Sequence, residues 1–265
     1  MPKPLSLRAW KARRPTAKDH QIEAAWLKEH WTYGGRIHEE TAKAIVSALN
    51  EPSTRAEGHP LYFKLFAEYA NALEVAGAIG WAIRTRRTHR MLVLDAVLTY
   101  PPEAPGAFYG AARRNRSGSL MRLLDLPAEN RVVAALAASA PAWSEEECRD
   151  SLPAAVQQAK FLADRYFAEE EIIRKTYNRA KHGATMLHYP PLTELQFYVI
   201  GPHVDVTGPR DKARYDLPKF TVNRQMIASL ETGVAAAGSM IRYLSGLAKA
   251  LNDAALLYPR RRSAQ

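Results

Sequence analysis

Two clusters of arginine are the residues whose type and spacing suit chemistry best: Arg84, Arg86, Arg87 and Arg90, and further along Arg113, Arg114 and Arg116. A guanidinium presents a planar fork of N–H donors that holds two oxygens at once, and it stays charged at any physiological pH. Arg84, Arg86, Arg87, Arg113, Arg114 and Arg116 are therefore the candidate nucleic-acid-binding residues. They belong to a 265-residue chain with 37 Lys and Arg against 27 Asp and Glu, a net charge of +10. The excess is uneven. Residues 1–18 carry +6, residues 84–122 carry +6 and Arg260 to Arg262 carry +3, so the remainder is net −5. Nucleic acid, nucleotide phosphates or an acidic protein partner all fit such patches. No aromatic-interleaved motif accompanies them, although Phe108 and Tyr109 stand just before the second cluster.

Other chemistry is sparse. The single cysteine, Cys148, follows three glutamates that oppose thiolate formation, so it reads as inert, and one cysteine excludes an intramolecular disulfide or a Cys-based zinc site. His30, His38, Glu39 and Glu40 lie close together, with Gly34-Gly35 between them. Surface histidines and a solvated acidic turn are the expected reading, rather than a metal site. The chain has no glycine-rich phosphate loop, no His-Glu-x-x-His and no Gly-x-Ser-x-Gly, so neither cofactor nor metal is expected.

One further segment, Tyr177-Asn-Arg-Ala-Lys-His-Gly, closes a strongly periodic helical stretch. It resembles the terminal motif of the HEPN superfamily, small helical-bundle proteins of which many are ribonucleases in defence and toxin systems. His182 falls on the family's histidine and Asn178 on its polar position. Tyr177 stands where the family has its catalytic arginine. The layout around the motif extends the resemblance over residues 150–257. It implies a bacterial protein, a possible homodimer, and RNA as the favoured nucleic acid; the cytoplasmic location is expected from the single cysteine and the lack of an apolar h-region near the start of the sequence. Any catalysis would be metal-independent RNA cleavage, with His182 as acid or base, Asn178 orienting it, and Arg174 or Arg179 supplying charge. The other reading is a non-enzymatic interaction subunit that docks an acidic protein.

The elements that must position these residues are mostly helical. The expected fold is an all-α bundle with a small β-hairpin insertion around residues 192–222. Residues 1–18 read as a flexible basic arm, 19–143 as a helical N-terminal region, 144–257 as the HEPN-like region and 258–265 as a basic tail. Asp19 is the expected cap of a first helix, Gly34-Gly35 its interruption, and Pro52 the end of a second. Phe63, Phe66, Ala67, Ala70, Leu73, Val75, Ile79 and Ile83 mark a long helix from Pro60 to about Arg87. Ser144 and Glu147 form a capping-box signal ahead of the clearest helix, which starts after Pro153 and extends to about His182. Leu195 to Ile200 and Val204 to Thr207 read as two short strands, with a third over Lys219 to Val222. Asn223 to Leu257 is the last helix, with a kink expected near Gly233 or Gly238. No apolar run reaches the roughly 18 residues a membrane span needs, so no membrane partner is expected.

Overall fold

The computed structural model describes the backbone of residues 15–51, 59–89, 91–168, 185–188, 195–200, 205–207, 214–216, 219–222 and 224–258. Side chains are described over 15–51, 61–86, 91–167 and 226–258. The described chain is mostly helical: α1 (Ala17–Glu29), a π-helical turn (His30–Gly34), α2 (Gly35–Asn50), α3 (His59–His89), α4 (Val93–Leu98), α5 (Ala104–Arg114), α6 (Leu120–Leu124), α7 (Glu129–Ser139), α8 (Glu145–Ala168) and α9 (Arg224–Asp253). The motif around His182 and the basic segments 1–14 and 259–265 lie outside the described residues. No described helix is long and apolar enough to cross a membrane.

The first helix begins three residues earlier than Asp19 suggests. Thr16 is the cap: its Oγ1 accepts from the Asp19 N–H at 3.3 Å, and the Asp19 carboxylate accepts from the Thr16 N–H at 2.7 Å. Asp19 is thus the third helical residue of a reciprocal box. Gly34-Gly35 does not break the helix. The chain continues through the π turn, which admits one extra residue per turn. A Cβ at Gly34 would lie 2.7 Å from the His30 ring, and His30 Nδ1 is 2.9 Å from Oγ of the buried Ser245 on α9. Tertiary contact, not local propensity, sets this turn.

Two compact units form, each from separated pieces of chain. The first takes described residues of 1–35, 75–160 and 240–265. Its core contains Leu27, Ile79, Ile83, Leu92, Phe108, Tyr109, Leu124, Val132, Val156, Leu244 and Leu251. In it, α3 carries no side chain at Gly77 and Gly80, and α5 fills the space. A Cβ at Gly77 would come within 2.9 Å of the Tyr109 ring, and one at Gly80 would overlap the Phe108 ring. The Ser144 and Glu147 capping box holds α8, with Ser144 N–H to the Glu147 carboxylate at 2.7 Å and Glu147 N–H to Ser144 Oγ at 3.1 Å. That cap starts α8 at Glu145, so Pro153 lies inside the helix instead of before it.

The second unit takes described residues of 36–74 and 161–239. Its core includes Ile45, Leu65, Tyr69, Leu73, Leu162, Leu230 and Val234. Arg165 on α8 donates to Tyr69 Oη at 3.0 Å and to Ser229 Oγ at 2.6 Å, and its guanidinium lies 5.5 Å from the centroids of the Tyr69 and Phe161 rings. Tyr69 in turn occupies the space a side chain at Gly233 would need, and α9 is continuous through Gly233 and Gly238.

Short backbone ladders lie between α8 and α9 in sequence: β1 (Thr185–His188), β2 (Leu195–Ile200), β3 (Asp205–Thr207), β4 (Arg214–Asp216) and β5 (Lys219–Val222). The expected hairpin joining 195–200 to 204–207 is not seen. Strand β2 instead pairs antiparallel with β1 and β5, and β3 pairs with β4.

Candidate nucleic-acid interface

Helix α5 buries Ala104, Pro105, Phe108, Tyr109 and Ala112, so its phase is fixed against the core of the first unit. That phase places Arg113 and Arg114 on the exposed side of its last turn, where cations also complement the helix dipole. Asn115 ends the helix and organises the turn that follows. Its Nδ2 donates to the Ser119 carbonyl at 3.0 Å, its Oδ1 accepts from Ser117 Oγ at 2.9 Å, and its carbonyl accepts from the Gly118 N–H at 3.3 Å. Gly118 has φ +64°, a conformation that costs other residues energy, so glycine fits the turn where side chains do not. Ser119 then caps α6, accepting from the Arg122 N–H at 3.4 Å.

The turn therefore presents four exposed arginines within ten residues: Arg113, Arg114, Arg116 and Arg122. Residues 104–124 contain no Asp or Glu, the nearest acids in sequence being Glu103 and Asp125. Arg114, Arg116 and Arg122 have no ion-pair partner among the described residues. Arg114 folds back along its helix, its guanidinium 3.3 Å from the position of a Cβ on Gly110. Such a group can bind phosphate oxygens by charge and by paired N–H donors.

The other candidates are placed differently. Arg86 is 1% exposed, and its donors go to backbone carbonyls: Leu257 at 2.9 Å, Leu124 at 3.0 Å, Asp125 at 2.9 Å, and Ile83. It is a buried tie between chain segments and not a phosphate contact. Arg84 is half-buried on α3, with no described contact to the 113–122 turn. The side chain of Arg87 lies outside the described residues, as do Arg174, Tyr177, Asn178, Arg179 and His182. Phe108 and Tyr109, the aromatics next to the second cluster, are both 0% exposed.

The histidines near Gly34-Gly35 take separate roles. His30 bonds Ser245, as above. His38 is buried, not on the surface, with Nδ1 2.5 Å from Glu68 Oε1. Among the described residues no group of three or more His, Cys, Asp or Glu is arranged to hold a metal. Cys148 is buried, and its thiol is pushed up by burial and by the charges of Glu147 and Glu145.

A second polar cluster, unsignalled in the sequence, sits at the start of α4. Leu92 offers no side-chain cap, so the first two helical N–H groups turn to distant partners. Val93 N–H donates to Tyr258 Oη at 2.8 Å, Leu94 N–H to Glu23 Oε1 at 3.2 Å, and Tyr258 O–H to the same Glu23 oxygen at 2.7 Å. Glu23 is 0% exposed, and its second oxygen has no partner among the described residues. Burial pushes the carboxyl above its ordinary range, against the lowering effect of the Tyr258 and backbone hydrogen bonds.

The sign of the pH effect follows. A carboxyl that holds its proton more tightly when folded supports the fold fully below its unfolded value, and this support is lost as pH rises through the raised value. Glu23→Gln keeps an oxygen for Tyr258 and Leu94 and removes the titration. The urea midpoint of the parent should therefore fall relative to that of Glu23→Gln as pH is raised from 4.5 towards neutrality. Parallel midpoint curves would show that Glu23 does not titrate abnormally.

The candidates named from the sequence do not include Arg122, which is exposed on this turn, nor Asn115, Ser117 and Ser119, whose hydrogen bonds hold it. The signal was present in Asn115-Arg-Ser-Gly-Ser119, a run of turn residues set among arginines. Comparison with protein families, curated proteins and solved structures finds no match to this chain.

Proposed function

We propose that this chain binds nucleic acid through its phosphates, with the 113–122 turn as the principal contact and RNA as the favoured ligand. The observation that supports this most directly is the turn itself: four exposed guanidinium groups on a hydrogen-bonded loop in a stretch without acid. A protein surface that only needed solubility would intersperse both signs of charge. The HEPN-like resemblance adds the rest of the reading: a bacterial protein of a defence or toxin system that acts as a homodimer. Cleavage by His182, with Asn178 and Arg174 or Arg179, belongs to that resemblance alone, because those residues lie outside the described ones.

The test is fluorescence anisotropy with labelled RNA against the parent and an Arg113→Ala/Arg114→Ala/Arg116→Ala variant. Each phosphate contact contributes a slope of about −0.7 (single strand) to −0.9 (duplex) to the plot of log affinity against log salt, so the variant should lose about 2–3 of that slope. Affinity at low salt should fall about 50-fold. Unchanged affinity and slope in the variant would remove the turn from the binding surface.

A further inference from the structure

We infer that the 113–122 turn takes double-stranded nucleic acid and reads its backbone without reading its bases. This rests on the phosphate-binding reading above. Three observations on the turn carry it. First, its exposed groups are guanidinium forks, which match phosphate oxygens. Second, no aromatic is exposed on it: Phe108 and Tyr109, the aromatics of α5, are 0% exposed, and residues 110–124 contain none. Among the described residues, the exposed aromatic side chains of the same unit, Trp31, Tyr33 and Trp143, belong to other segments. Third, the turn is closed by Asn115, Ser117 and Ser119, so the arginines start from a fixed backbone.

Single strands and duplexes ask for different things. A flexible single strand must be ordered on binding, and its binders recover that cost by stacking bases on aromatic rings. This turn has no ring to offer. A duplex is already ordered and presents one charge per about 1.7 Å of axis, roughly twice the density of one strand, to the same set of cations. Its grooves hide the bases from a surface that only meets phosphate, so affinity should not depend on sequence.

The experiment uses the full chain and four labelled probes: two unrelated duplexes of about twenty base pairs and one mixed-sequence strand from each. The two duplexes should bind within about twofold of each other, and each single strand about tenfold more weakly. The Arg113→Ala/Arg114→Ala/Arg116→Ala variant should bring the duplexes down to the single strands. Single strands binding as tightly as duplexes would overturn the duplex inference and leave phosphate binding standing, as would a difference above about tenfold between the two duplexes. Displacement of duplex by poly-glutamate at equal charge would overturn it in favour of an acidic protein partner. Failure of every probe at low salt would overturn phosphate binding itself.

Discussion

Arg86→Met should cost about 3–5 kcal/mol of folding free energy, because it leaves unmet the four carbonyls that the buried guanidinium satisfies. Arg86 ties three stretches of chain together: Ile83 on its own helix, Leu124 and Asp125 at the end of α6, and Leu257 beyond α9. The α6 end is the most demanding. Asp125 adopts a left-handed conformation (φ 51°) there, and the carbonyls of Leu124 and Asp125 turn towards the guanidinium. A cation at a helix C-terminus gains from the dipole as well as from the hydrogen bonds. Methionine fills much of the volume but satisfies none of these carbonyls, and a buried unmet carbonyl costs about 1–3 kcal/mol. Lysine keeps the charge without the fork, so Arg86→Lys should recover less than half of the loss. Arg84→Met, two residues away and half-buried, should shift stability by about 0.5 kcal/mol or less. Urea unfolding followed by circular dichroism measures all three. Equal midpoints for Arg86→Met and Arg84→Met would contradict the tie.

The contrast between Arg84 and Arg86 also shows what the sequence could tell. Charge counting treats the two alike. Helical phase does not: Ile79 and Ile83 are buried, and Arg86 follows them at seven and three residues, so it continues the buried stripe. Apolar spacing likewise located α3 and α9 to within a few residues, and the Ser144-to-Glu147 box was legible as a cap, although the helix behind it was expected to start only after Pro153. What escaped were features set by distant partners. Nothing near His38 announces Glu68, thirty residues on, and nothing near Leu92 announces that Glu23 and Tyr258 will cap the helix it precedes. The π turn at Gly34 belongs to the same class, since Ser245 holds His30 there. For the candidate interface, composition located the arginines, but only the burial of α5 decides which of its neighbours face solvent.

That burial gives the last expected result. Phe108→Ala should cost about 3–5 kcal/mol, and it should also weaken nucleic-acid binding although it touches no arginine. Phe108 lies against Gly80 on α3 and is tilted against Tyr109 with ring centroids 5.3 Å apart, while Tyr109 and Pro105 fit over Gly77. This contact is what orients α5. Truncating the ring leaves a cavity at the helix crossing, and the turn that α5 carries loses its fixed starting point. The binding loss should be modest, about three- to tenfold under conditions where the variant remains folded, because the guanidinium groups themselves survive. It should appear mainly as lower affinity at each salt concentration, with the salt slope close to the parent's, since the number of phosphate contacts is unchanged. Gly80→Ala offers the complementary case: its added methyl would overlap the Phe108 ring, and the strain outweighs the helix-propensity gain of about 1 kcal/mol. If Phe108→Ala lost stability but bound RNA as tightly as the parent, the arginines would not depend on α5 for their placement, and the charge of the turn alone would account for binding.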